Sequence, residues 1–233
     1  MNDVGYSILY YILPVLGLII TSIAQLSITT NYTRYKQVAS RSHKTGHEVA
    51  RQILDKHGLR NIDVVEVAGN LTDHYDPTNK VVRLSQDIYS GTSIASVSVA
   101  AHECGHAIQD KVSYTPMRIR SSLVPIVNFS TKIGYLVIVI GLAAGALKIA
   151  IIGLILLLSM LLFQLVTLPV EFDASRRGKI ELDELHILDT DEQTGATRML
   201  RAAAFTYVAS VLSTLFQILR MALMVVGSRR NNR

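Results

Sequence analysis

Residues 101–110 read AHECGHAIQD, which places His102 and His106 four apart with Glu103 directly after the first histidine. On an α-helix, residues four apart lie one above the other, so two imidazoles at this spacing can clamp one zinc ion from the same side. Glu103 is rotated about 100° from His102 and can reach a metal-activated water as general base. The chemistry implied is hydrolysis. Cys104, the only cysteine, is rotated about 200° onto the opposite face, which makes it a poor zinc ligand. A lone cysteine also rules out an internal disulfide, which fits a reducing compartment. Ala100, Ala101, Gly105 and Ala107 are small enough to let other backbones pack closely around this helix.

A catalytic zinc needs a third protein ligand and one open position. The extended form H-E-x-x-H-x-x-G-x-x-H is absent, because AIQDKVS follows His106. The third ligand must come from elsewhere, and the candidates are Glu171, Asp173, Glu181, Asp183, Glu184 and His186.

The elements that must bring these groups together lie in a chain of 233 residues that is 49% hydrophobic and 18% charged. That is too apolar for an ordinary soluble domain and too polar for a bare membrane bundle. Residues 6–28 carry no charge and are long enough to span a bilayer. No Lys or Arg precedes them, and the apolar run is too long for a cleaved signal peptide. Residues 30–122 form the zinc-helix region. Within it, Thr45 and Glu48 make a capping-box pattern for a helix that ends at Gly58. IDVVEVAG and NKVVRLS read as two short strands, with the polar NLTDHYDPTN as a loop between them. A helix from about Thr92 to Asp110 carries the histidines. Two spans follow, 123–147 and 149–168, turning at GALKIA. Residues 169–204 form the third-ligand region, in which Thr190 and Gln193 make a second capping-box pattern. Residues 205–226, interrupted by Gln217 and Arg220, form a fourth span or an interfacial helix.

If 123–168 is a membrane hairpin, its ends emerge on one side, so residues just before it and just after it become neighbours. That favours the segment PVEFDAS, in which Glu171 and Asp173 lie just beyond the exit, over anything further along.

DHYDPTNKVVRLS, AAHECGHAIQD and PVEFDASRRG, in this order, resemble the bacterial neutral zinc metallopeptidases, the YugP-like membrane protease group. The resemblance covers nearly the whole chain. The layout is more distantly similar to HtpX-type membrane proteases and CAAX prenyl proteases, which also place a membrane hairpin between H-E-x-x-H and a ligand glutamate. The resemblance implies that His102, His106 and Glu171 hold one Zn2+ per chain and that Glu103 is the catalytic base. The more distant relatives carry an Asp four residues after the ligand glutamate; here that position is Ser175, leaving Asp173 or Asp110 to supply a supporting carboxylate.

The expected fold is therefore a mainly α integral membrane protein, with about four transmembrane helices and a small cytoplasmic α+β zinc-metalloprotease domain. Residues 1–233 act as a single membrane-embedded metallopeptidase domain. The expected function is that of a gluzincin-like endopeptidase cutting membrane or membrane-adjacent proteins. A non-catalytic zinc-binding scaffold or regulatory membrane protein is the alternative. An open fourth position with an intact Glu103 argues against it, since structural zinc sites are normally closed by four protein ligands. The expected partners are the lipid bilayer and a protein or peptide substrate. The net charge of +5 suits anionic headgroups, and no basic patch interleaved with aromatics points to nucleic acid. Lys and Arg flank the spans at Arg34, Lys36, Arg41, Lys111, Arg118 and Arg176, which places the zinc region on the cytoplasmic side of a bacterial plasma membrane, with the N-terminus outside. The basic tail GSRRNNR runs against this rule if the last helix crosses fully.

Other features carry weaker readings. His74 and Tyr75 sit in the loop, where a donor could stabilise an oxyanion. KVVRLS could be an edge strand that takes an extended substrate by β-augmentation. Asn128 and Lys132, four apart in the first arm of the hairpin, could line a polar cavity. His43 and His47 share the spacing of the motif but lack a third ligand nearby, and His57 suits a helix end.

Overall fold

The computed structural model describes the backbone of residues 3–231 and the side chains of residues 8–225. In chain order its elements are α1 (Asp3–Lys36), α2 (Gly46–Lys56), β1 (Asp63–Val67), β2 (His74–Asp76), β3 (Val81–Ser85), α3 (Gln86–Tyr89), α4 (Ile94–Lys111), α5 (Thr115–Ala143), α6 (Leu147–Glu184) and α7 (Thr190–Asn231). The chain is mainly helical. Its elements form two compact units: residues 1–25, 119–168 and 206–233 in one, and 26–118 and 169–205 in the other.

The first unit is apolar. Segments of α1, α5, α6 and α7 are each long and apolar enough to cross a membrane, and no more than 22% of the most apolar stretch of any one is buried. Leu18, Phe129, Leu136, Val139 and Ile155 are exposed, an outer surface that suits acyl chains rather than water. Small residues set the helix contacts. A Cβ at Gly141 would meet Ala150, one at Gly153 would meet Gly134 and Ile138, and one at Gly17 would meet Ser213. α5 and α6 are thus an antiparallel pair, turning at Gly145 in the left-handed conformation (φ 64°), as GALKIA suggests. Ile138, Leu157 and Ile218 form the buried centre. Asn128 and Lys132 are exposed on α5.

The second unit has its own core, formed by Ile53, Leu54, Val82, Leu84, Ile88 and Cys104 with their neighbours. The Thr45–Glu48 capping box is present in both directions, and α2 stops at His57 and Gly58. A three-stranded sheet has the order β1-β3-β2, with β1 parallel and β2 antiparallel to β3. Two expectations change here. Part of the supposed loop is β2, and KVVRLS supplies the middle strand, so both its edges are already paired and it cannot accept a substrate strand. The α7 cap also differs. The Asp189 backbone N–H donates to Glu192 Oε2 (2.9 Å), one residue earlier than the Thr190/Gln193 pattern, while Gln193 turns to Asp183. Arg41 fastens this corner by pairing with Asp189 and Asp191.

Candidate metal centre

α4 begins at Ser93, whose hydroxyl accepts from the Ser96 N–H, and it runs unbroken through the histidine motif. It meets the C-terminal part of α6 backbone to backbone. A Cβ at Gly105 would lie 2.3 Å from the Ala174 carbonyl oxygen, and one at Gly178 would lie 2.8 Å from the Ala101 carbonyl. Only glycine permits these approaches, and they bring Glu171, one turn before Ala174, against the histidine face of α4.

The result is one convergent group. A ligand atom from each of His102, His106 and Glu171 lies within 4.8 Å of the other two. Glu171 Oε2 is 3.4 Å from His102 Nε2 and 3.5 Å from His106 Nε2. Two ligands each about 2.0–2.1 Å from a tetrahedral zinc sit about 3.4 Å apart. Two imidazoles and one carboxylate, buried or nearly so, are also a donor set that zinc favours. The residues therefore fit a zinc ion, with a fourth position left over.

Both Nε2 atoms face that point, and hydrogen bonds set the His106 tautomer. The Gln109 side chain is fully buried, and its Nε2 donates to the Val170 carbonyl (2.7 Å) and Asp173 Oδ2 (3.0 Å). Its Oε1 must then be the acceptor for His106 Nδ1 at 3.0 Å, which leaves the Nε2 lone pair free for a metal. His102 Nδ1 lies 3.1 Å from Ser175 Oγ. Where the distant relatives carry a carboxylate, a hydroxyl holds the ring here. Asp173 acts one step further out: it receives Gln109, Arg176 and Arg177 and does not face the histidines. Asp110 accepts from the Tyr75 hydroxyl (2.7 Å) and pairs with Lys80, so it supports β2 rather than a ligand.

Glu103 is buried beside this group. Its Oε2 accepts from the Tyr75 backbone N–H at 2.9 Å. Burial pushes its carboxyl up to about 7, with the Glu171 charge adding to the rise and His102 and the Tyr75 N–H opposing it. A base tuned towards neutrality suits proton transfer. Tyr75 therefore contributes its main chain to Glu103, and its hydroxyl is committed to Asp110. The hydroxyl is held above its ordinary value by burial and by that carboxylate. His74 lies exposed on β2, with its ring on the Thr72 carbonyl.

The remaining candidates lie elsewhere. Glu181 pairs with Lys56 and His57, Glu184 with Lys56, and Asp183 with Gln193. His186 has left-handed backbone just past α6 (φ 50°). His47 packs on the Tyr89 ring. Among the described residues, His43 and His47 belong to no such ligand group. Cys104 faces away from the histidines and donates to the Ala50 carbonyl. Gln109 and the Tyr75 N–H were missed in the sequence. Gln109 carries only the signal of lying one turn after His106, and a backbone donor carries none.

A helix bearing two histidines and a buried carboxylate, closed by a glutamate from a second helix, is the layout of a zinc peptidase. The chain belongs to the family described as "Putative neutral zinc metallopeptidase", whose model matches residues 10–226. It is 41% identical over 224 residues to "Putative membrane protease YugP" of Bacillus subtilis (strain 168), covering 96% of this chain and all of that protein. No solved structure matches.

Proposed function

We propose that this chain is a zinc-dependent integral-membrane endopeptidase that cuts membrane or membrane-adjacent proteins. His102, His106 and Glu171 hold one zinc ion per chain, and Glu103 is the general base. The observation that carries this reading is the approach of both histidine Nε2 atoms to Glu171 Oε2 at 3.4 and 3.5 Å, with the buried Glu103 alongside. Zinc bound there supplies Lewis acidity to a scissile carbonyl and to the attacking water. Glu103, held at Oε2 by the Tyr75 N–H, takes the water's proton at Oε1 and passes it to the leaving amine nitrogen. Gln109 keeps the His106 imidazole in the tautomer whose Nε2 lone pair faces the metal, and Ser175 holds the His102 ring in place. The sheet and the helices around α4 form a small α+β catalytic region, and residues 1–233 work as one membrane-embedded enzyme. Basic residues flanking the spans, such as Arg34, Lys36, Arg118 and Arg176, support a cytoplasmic zinc side in a bacterial plasma membrane.

The test uses purified full-length protein in lipid nanodiscs, with unfolded casein and a membrane protein as substrates. Cleavage should stop on chelation and return with zinc, and Glu171→Ala should lose both zinc and cleavage. Cleavage that persists after complete metal removal, or stoichiometric zinc in Glu171→Ala, would refute the assignment. Zinc bound without any cleavage would favour a scaffold.

A further inference from the structure

We propose that Arg220 and Tyr10 form a site for the phosphate of an anionic phospholipid. The proposal rests on the four apolar helices crossing a membrane, and not on the protease reading.

Arg220 lies in the part of α7 counted as a candidate span. A guanidinium in such a helix is costly unless something neutralises it. Its Nη2 donates to the Tyr10 hydroxyl at 2.8 Å, and its centre lies 4.5 Å from the Tyr10 ring centroid. A phenol and a ring face solvate the cation but leave its charge uncompensated. The Nε is buried and has no hydrogen-bond partner among the described residues. Nor do the described side chains of the apolar unit supply a counter-ion. Residues 4–25, 119–168 and 206–233 contain no Asp or Glu. Asp3 lies two turns before Tyr10 on α1, and its side chain is outside the described ones. No described side chain provides that anion, and the surroundings can.

The surroundings favour a lipid. Tyr10 meets Arg220, and Gly17 meets Ser213, so α1 and α7 are antiparallel. The start of α1 and the end of α7 therefore share one end of this unit. Tyr135 bonds Gln217, and Ile138 clusters with Ile218, so α5 runs alongside α7 and its turn reaches the same end. The exposed Lys148, just past that turn, lies there too. Around the site, Ile8, Tyr11, Ile12, Leu215 and Leu219 are exposed. A cation with an aromatic hydroxyl, ringed by outward-facing apolar side chains, matches an amphiphile with an anionic head and acyl tails. Arginine's planar fork suits phosphate oxygens, and tyrosine favours the headgroup level.

Full-length protein, delipidated in a neutral detergent, would be titrated with phosphatidylglycerol and with phosphatidylcholine, and retained lipid read by native mass spectrometry. Wild type should prefer phosphatidylglycerol. Arg220→Gln should lower that affinity about fivefold or more, Arg220→Lys by less, and Tyr10→Leu measurably. Helical content and monodispersity should be unchanged in all three, which reports folding independently of any metal. Equal binding of the two lipids by wild type would overturn the proposal, as would undiminished phosphatidylglycerol binding in a folded Arg220→Gln. Should Arg220→Gln fail to fold, undiminished binding in Tyr10→Leu would do the same. Competition by millimolar inorganic phosphate would overturn the lipid assignment in favour of a free anion.

Discussion

Replacing Gly105 by alanine adds one methyl group at the closest approach of α4 and α6. The new Cβ would lie 2.3 Å from the Ala174 carbonyl oxygen and 2.9 Å from its carbon. Ordinary contact begins near 3.4 Å, so the helices must part by about 1 Å. The obstacle is backbone, which cannot swing aside as a flexible side chain would. Gly178 against Ala101 closes the same interface one turn further on. Ligand positions in a zinc site tolerate errors of about 0.2 Å, and Glu171 moves with Ala174. Overpacking of this kind costs about 1–3 kcal/mol. If that strain is relieved by letting Glu171 withdraw, zinc affinity falls by about 5- to 150-fold. Chelator competition on the purified full-length protein reads this directly. Cys104→Ala, on the opposite face, is the control and should keep wild-type affinity. Wild-type zinc affinity in Gly105→Ala would refute the reasoning that glycine sets the ligand distance.

Gln109→Leu removes the acceptor for His106 Nδ1 and should weaken zinc binding about 10- to 100-fold; unchanged affinity would deny Gln109 its tautomer-fixing role. Tyr75→Phe deletes the hydroxyl bond to Asp110. It should cost about 1–3 kcal/mol of stability and lower kcat with zinc content intact, while an unchanged kcat would separate β2 from the positioning of Glu103. In metal-free protein, burial raises the Glu103 carboxyl to about 7. The folded state therefore binds that proton more tightly than the unfolded chain. The stability contributed is full below the ordinary carboxyl range and is lost as pH rises towards 7. Glu103→Gln should thus raise the melting temperature of zinc-free protein relative to wild type more at pH 8 than at pH 5. An equal difference at both pH values would contradict the burial argument. Asp173→Ala should weaken zinc binding less than Glu171→Ala, because it loosens Gln109 and removes no donor; the reverse order in a side-by-side affinity measurement would exchange their roles.

How much of this was legible in the sequence follows from the range of each signal. The spacing of His102, Glu103 and His106 is a local helical property, so it could be read directly. The hairpin argument brought the chain back beside α4, because two apolar runs joined by a tight turn must return to the side they left. The preference for Glu171 over Asp173 came from family resemblance, and only packing shows which of the two lies beside the histidines. Glycine contacts set the rotation of α6, and Asp173 is diverted to Gln109, Arg176 and Arg177. The strand at His74–Asp76 was missed because three residues without apolar alternation carry no strand period. Its edge position in turn reversed the reading of KVVRLS. The α7 cap was misplaced by one residue because Asp189/Glu192 and Thr190/Gln193 both satisfy the same local pattern, and Arg41, distant in sequence, favours the first.

The most direct test compares wild type with Glu103→Gln, both purified at full length and loaded with zinc, for metal stoichiometry and peptide-bond cleavage in the same preparation. The expected result is one zinc per chain in both proteins, with cleavage by Glu103→Gln reduced about 100- to 10,000-fold. Zinc-loaded Glu103→Gln that cleaves at near the wild-type rate would contradict the central claim that Glu103 moves the proton in a zinc-dependent hydrolysis.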